Sequence, residues 1–238
     1  MITTNYDKSI SSLTIGFRQN NKLADEVARF TDENFWMLNP KSRDTFNRIP
    51  YDTPENKAKQ KKGIDLEVGG MKIDEKVKVR GCLNQPLEKT SFELFHHGEK
   101  LGWFLNPDSE TTHYAFITLS CETGTTENEI AYDNITTADY CIVQKECFIN
   151  HLEEEYGITK ESLEEEARLF YLDKNAGRYA RREYKSRGNG HTLYLTFSRF
   201  KEDGRWTNAT NLVFYMEDLR RQPFVRTVRI TKNSTAVL

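Results

Sequence analysis

The chain is poor in the residues that would declare a chemistry at once. Its four cysteines, Cys82, Cys121, Cys141 and Cys147, form no C-x-x-C pair and have no histidine at metal-ligand spacing. That pattern excludes a zinc ribbon and is expected of reduced core thiols in a cytosolic protein rather than a disulfide framework. No window approaches the roughly 20 consecutive apolar residues that a membrane-spanning helix needs. The opening stretch, MITTNYDKSISSLTIGF, lacks a basic start followed by an apolar run, so no secretory signal and a cytoplasmic location are expected. Charge of one sign is lacking too. The net value is −2, which gives no global attraction to nucleic acid.

What is present is local. Aromatic residues make up 12% of the chain, enough for a packed core rather than disorder. Charge is segregated: Lys57–Arg80 carries eight Lys/Arg against four Asp/Glu, and RYARREYKSR (Arg178–Arg187) carries five basic residues against Glu183. Acid gathers in HLEEEYGITKESLEEEARLF. A basic groove can hide inside a neutral total in this way.

Leu23, Val27, Phe30, Asn34 and Leu38 fall at helical spacing, with Pro40 as the stop. The polar, proline-bearing segment from Asn39 to Gly63 reads as a loop with a short helical turn. Strands are expected near Ser91–His97 and His113–Leu119, in HTLYLTFSRF and in TNLVFYMEDL, and helices in the acidic segments. No repeat, linker or low-complexity tail divides the chain. The expectation is one α/β (α+β) domain over 1–238, a central mixed sheet flanked by helices. Residues 1–45 would be helical, 60–145 the sheet core, 145–190 helical and 191–238 the closing strands.

The most informative stretch is GIDLEVGGMKIDEKVKV, Gly63–Val79. A two-residue Gly69-Gly70 connection pairs Val68 with Met71, Glu67 with Lys72, Leu66 with Ile73 and Asp65 with Asp74. Alternation then sets Asp65, Glu67, Lys72, Asp74, Lys76 and Lys78 on one face, and the apolar residues, interrupted by Glu75, on the other. Directly opposed strand residues have Cβ atoms about 4.5–5.5 Å apart, where like charges repel. A divalent cation is one reason to keep Asp65 opposite Asp74, since Mg²⁺ takes carboxylate oxygens and retains waters. Lys76 lies two residues along the same face. An amphipathic hairpin with a charged outer face is the alternative.

Asp, a short turn, then Asp-x-Lys on an apolar strand resembles the PD-(D/E)xK motif of the restriction-endonuclease-like nucleases. The order of GIDLEV, MKIDEKVKV, SFELFHHG, GWFLNP and TNLVFYMEDL is similar to that of a group of small bacterial and phage-type members. The resemblance implies a restriction-endonuclease-like fold and metal-dependent phosphodiester hydrolysis, on DNA by expectation of the family. Asp65 and Asp74 would bind Mg²⁺ or Mn²⁺, with Glu93 as a further ligand, and Lys76 would stand near the attacking water. Lys61, Lys62, Lys78, Arg181 and Arg182 would hold the phosphate backbone. The family's proline is replaced by Ile64, and its usually apolar x position is Glu75, so a shifted register would make Glu75 the ligand.

Lesser candidates are Gln60 for phosphate, Glu26 or Glu33 as a helix-borne acid, His96, His97 and His113 near strand ends, and Trp103 and Trp206 for stacking. A homodimer would suit cleavage of both strands of a duplex. Two other readings remain: a catalytically inactive nucleic-acid- or protein-binding module on the same scaffold, and an unrelated α+β protein whose acidic helices bind a partner.

Overall fold

The computed structural model describes residues 17–50, 52–78, 89–96, 100–125, 129–172, 181–188, 192–202 and 205–238, with side chains described except at 17–22, 78, 96, 197–202 and 205–208. Helix α1 (Phe17–Thr31) carries Val27 and Phe30 into the core. It runs on as a π-helical turn, Asp32–Trp36, closed by Met37 N–H donating to Asp32 O at 2.9 Å. The wider turn breaks the 3.6-residue period. Asp32, Asn34 and Trp36 are buried as a result, and Leu38, expected on the apolar stripe, is exposed.

The segment expected to be a loop holds three short elements: α2 (Pro40–Arg43), β1 (Asn47–Arg48) and α3 (Pro54–Gln60). Asn39 and Thr53 cap the two helices, each followed by proline at the first helical position. The hairpin comes next, β2 (Leu66–Val68) and β3 (Met71–Lys78). Its register is Val68↔Met71, Glu67↔Lys72 and Leu66↔Ile73, turned by Gly69 at φ +56° and Gly70 at φ +83°. Left-handed φ at both turn positions is what a two-residue hairpin demands, and glycine supplies it without a Cβ clash.

The remaining elements are β4 (Lys89–His96), β5 (Lys100–Leu101), β6 (His113–Cys121), β7 (Ile135–Gln144), α4 (Lys145–Tyr156), α5 (Lys160–Leu172), β8 (Arg181–Lys185), β9 (Thr192–Glu202), β10 (Arg205–Tyr215), α6 (Met216–Arg220), β11 (Val225–Thr231) and β12 (Ser234–Val237). The fold is mixed α/β, but with two sheets rather than one. Seven strands run in the order β1-β2-β3-β6-β7-β11-β12, with β3 and β6 parallel and the other pairs antiparallel. Five antiparallel strands form the second sheet, β5-β4-β10-β9-β8. TNLVFYMEDL is strand only to Tyr215 and then turns into α6. The basic RREYK segment is β8, an edge strand, and its charges suit an edge that must not pair further.

The seven-stranded sheet is buried on both faces. Ile73, Ala115, Ile117, Tyr140 and Val228 pack against Val27, Phe30 and Trp36. On the other face Tyr114, Phe116, Cys141 and Val143 meet the second sheet and helices α4 and α5. Phe92 stands at the centre, with ring centroids 4.6 Å from Phe104, 4.5 Å from Tyr114 and 5.3 Å from Phe214. Cys121 and Cys141 are buried in the core, as expected, while Cys147 is half-buried; Cys82 lies outside the described residues. Among the described residues no helix is long and apolar enough to cross a membrane.

Candidate functional site: a paired-acid hairpin

Asp65 stands just ahead of β2. Its N–H donates to Ile73 O at 2.9 Å, although Ile73 already pairs with Leu66, so the ladder bulges at Asp65 rather than running on in register, and the Asp65 carboxyl comes close to Asp74 from that bulge. Its carbonyl accepts from Ile49 N–H at 2.9 Å, and its carboxylate Oδ2 accepts from Glu75 N–H at 2.7 Å. Gly63, at φ +77°, delivers the chain to this point, and its carbonyl accepts from the Thr111 hydroxyl. A Cβ on Gly63 would lie 2.6 Å from Thr111 Oγ1, so no side chain fits there. Gln60 Nε2 donates to Ile49 O at 2.7 Å and so ties α3 to the strand beside the hairpin.

Asp74 is only 4% exposed. Lys76 Nζ donates to its Oδ1 at 2.9 Å, while Oδ2 is buried with no hydrogen-bond partner among the described residues. Burial pushes the Asp74 carboxyl up, against the pull of the Lys76 ammonium. Burial, then the Asp74 charge, pushes Asp65 up to about 7. Burial works against the charge on Lys76, but Asp74, with Asp65 and Glu93 behind it, outweighs that and raises its pKa.

Two buried carboxyls close enough to share a hydrogen bond, both pushed up by burial, could hold a hard divalent cation in place of the shared proton. No third ligand completes the set: among the described residues no group of three or more His, Cys, Asp or Glu side chains is placed to hold a metal ion. Glu93 lies on β4 in the second sheet and is felt at Lys76. A cation here would draw its remaining oxygens from water and from the ligand it binds.

Glu75 is on the opposite face. It accepts from Arg48 Nη1 and from the Tyr140 hydroxyl. The same guanidinium holds Asp32, with Arg48 Nε donating to Asp32 Oδ2 at 3.0 Å. Burial raises Asp32 to about 6 despite that bond. The acid that interrupts the apolar face thus has a buried partner, and Asp74 rather than Glu75 stands beside Asp65.

The other sequence candidates scatter. Glu26 accepts from Tyr132 N–H at 2.8 Å, and Glu33 pairs with Arg29 at 3.6 Å, both away from the hairpin's charged face. His113 Nδ1 lies 2.9 Å from Thr112 Oγ1. Lys62 and Lys72 share Glu110, and Lys61 is exposed. Arg182 pairs with Glu166 at 3.2 Å; Arg181 pairs with Glu183 at 2.8 Å and lies over the Tyr194 ring at 3.8 Å. Trp103 is half-buried beside Gly63. His97 lies outside the described residues, as do the side chains of Lys78, His96 and Trp206.

One residue was missed. Lys145 opens α4 and is 9% exposed, its N–H donating to Thr112 O at 2.9 Å and its Nζ to Ser109 Oγ at 3.5 Å. Burial lowers it to about 8, with Lys160 adding and Asp74 opposing. The available signal was a lysine just after the apolar run Cys141–Val143, at the first turn of a helix, where the macrodipole disfavours a cation.

The chain matches no protein-family model, no curated protein and no solved structure.

Proposed function

We propose that this protein is a metal-dependent phosphodiesterase acting on nucleic acid, with DNA as the expected substrate and a restriction-endonuclease-like chemistry. The observation that carries the reading is the Asp65–Asp74 pair: two adjoining, largely buried acids with a lysine bonded to one of them. Buried acids with raised pKa values beside a lysine cluster at functional sites. A divalent cation held by Asp65 and Asp74 would polarise the scissile phosphate and acidify a bound water. Lys76, kept protonated by Asp74, would stabilise charge building on the phosphate. Asp65, fixed through its bond from Glu75 N–H, would stay in register with Asp74 as ligands exchange.

The test is cleavage of plasmid and single-stranded DNA with Mg²⁺, Mn²⁺ or EDTA, comparing wild type with Asp74→Ala and Lys76→Ala. Metal-dependent cutting lost in both variants is the expected result. A folded wild type that cuts neither substrate in either metal would overturn it. A second reading, an inactive binding module on the same scaffold, is favoured by the direct Lys76–Asp74 ion pair, which occupies one ligand oxygen. DNA bound without cleavage, and unaffected by EDTA, is its signature.

A further inference from the structure

Four side chains gather at one end of the seven-stranded sheet. Asp65 lies close to Asp74, and Asp74 pairs in register with Tyr114 on the parallel strand β6. Lys145, the first residue of α4, donates its N–H to Thr112 O, two residues before Tyr114. The group is acid, acid, phenol and ammonium. Its acidic half is the cation side described above. Its other half has no assigned role.

That half is built from buried groups that are poorly satisfied. The Tyr114 hydroxyl is fully buried with no hydrogen-bond partner among the described residues. Lys145 is 9% exposed, and its ammonium donates to a serine hydroxyl at 3.5 Å, with no carboxylate in an ion pair among the described residues. A buried charge is costly unless paired, and a buried phenol normally finds a partner. Tyr114 is the in-register neighbour of Asp74, and Lys145 reaches the hairpin through Ser109 and Thr111, whose hydroxyl donates to Gly63 O two residues before Asp65, so both belong to the same centre. Salt bridging inside the protein does not explain Lys145, because Asp74 gives its bonded oxygen to Lys76. An anion beside Asp65 and Asp74 would satisfy the ammonium and the phenol together.

We propose that Lys145 and the Tyr114 hydroxyl are the anion-holding side of this site and take the phosphate group of a nucleotide or nucleic-acid strand. The inference deepens the phosphodiesterase reading and rests on it for the identity of the anion. Lys145 would donate a charge-assisted hydrogen bond to a phosphate oxygen, and Tyr114 a neutral one.

The experiment uses the full chain and thymidine 5′-monophosphate as probe. The ε-methylene resonance of Lys145, in protein with ¹³C-labelled lysine and assigned through Lys145→Arg, is followed as the probe is added. Probe affinity is measured in parallel for Lys145→Met and Tyr114→Phe, and Mn²⁺ binding by electron paramagnetic resonance. The expected result is a saturable shift of the Lys145 resonance, at least about tenfold weaker probe binding in Lys145→Met, partial recovery in Lys145→Arg, and unchanged Mn²⁺ binding. A Lys145 resonance that stays fixed while nucleotide binds, or a folded Lys145→Met that binds like wild type, overturns the proposal. If Lys145→Met does not fold, the wild-type resonance still decides. Mn²⁺ bound and DNA cut with Lys145 unmoved leaves the phosphodiesterase reading standing and sinks this one. A shifted Lys145 without Mn²⁺ binding or cleavage does the reverse.

Discussion

Asp74 and Glu75 are adjacent in the chain and serve opposite faces of one sheet. Asp74 bonds Lys76 on the face toward the second sheet; Glu75 bonds Arg48 and Tyr140 on the face toward α1. Strand alternation alone enforces the split. Two buried acids one residue apart therefore belong to separate charge systems, and substitutions should separate them.

Glu75→Gln removes a carboxylate from a guanidinium that keeps Asp32 as its remaining partner. Breaking a buried pair is strongly destabilising, and with one partner retained the expected loss is on the order of 2 kcal/mol. The urea midpoint should fall accordingly, while metal-dependent cleavage by the folded fraction persists. Asp74→Asn should do the opposite: stability within about 1 kcal/mol of wild type, since a buried charge is removed, and cleavage abolished. A Glu75→Gln protein of native stability would show that the Arg48 network contributes little.

Asp65→Asn keeps an oxygen acceptor for Glu75 N–H and removes the repulsion with Asp74. The metal-free protein should gain on the order of 1–2 kcal/mol at neutral pH, because a carboxyl whose pKa is raised opposes folding once ionised. Metal affinity should drop at the same time, a stability gain at a functional site. Thermal melts in EDTA and a Mn²⁺ titration check both halves. A destabilised Asp65→Asn would mean the carboxylate is held for structure.

The hairpin was legible because its determinants are local: Gly69-Gly70 specifies the turn, and the turn specifies the register from Val68↔Met71 to Leu66↔Ile73; the departure at Asp65, whose N–H also goes to Ile73 O, was not. Partnerships across the fold were not. Glu75 finds Arg48 only because β1 pairs with β2, and β1 is two residues inside a stretch that reads as loop. The second sheet depends on β10 pairing with β4, a contact between distant segments that periodicity does not encode. Leu38 was misplaced because a π turn leaves no mark in the spacing of apolar residues. The resemblance to the nucleases rested on the Asp65, Asp74 and Lys76 pattern, and those three side chains lie close together in the fold.

Among the basic residues expected to meet phosphate, partners decide the ranking. The Lys62 ammonium is matched by Glu110, whose carboxyl Lys62 and Lys72 pull down to about 2. Lys61 is exposed and makes no ion pair among the described residues. Lys61→Ala should therefore lower the salt slope of DNA binding by about one, the change for one lost phosphate contact. Lys62→Ala should lower it less. Equal effects, measured by fluorescence anisotropy across a salt series, would mean that Glu110 releases Lys62 on binding.

The acids of the hairpin set a pH dependence whose sign is fixed by the direction of their shifts. Asp65 is raised from an ordinary carboxyl value to about 7, and Asp32 to about 6, burial being the main cause of both. The folded protein then binds these protons more tightly than the unfolded chain does. Their contribution to stability is full below the unfolded value of about 4 and is lost as pH rises through about 6 to 7. In EDTA the melting temperature should fall across that interval. A divalent cation needs the ionised carboxylates, so Mg²⁺ should stabilise the protein above about pH 7 and lose its effect as Asp65 takes up its proton. The fall in EDTA should flatten in Asp65→Asn, leaving the smaller part due to Asp32. A Mg²⁺ effect that is the same at pH 5 and pH 8 would place the cation elsewhere than on Asp65.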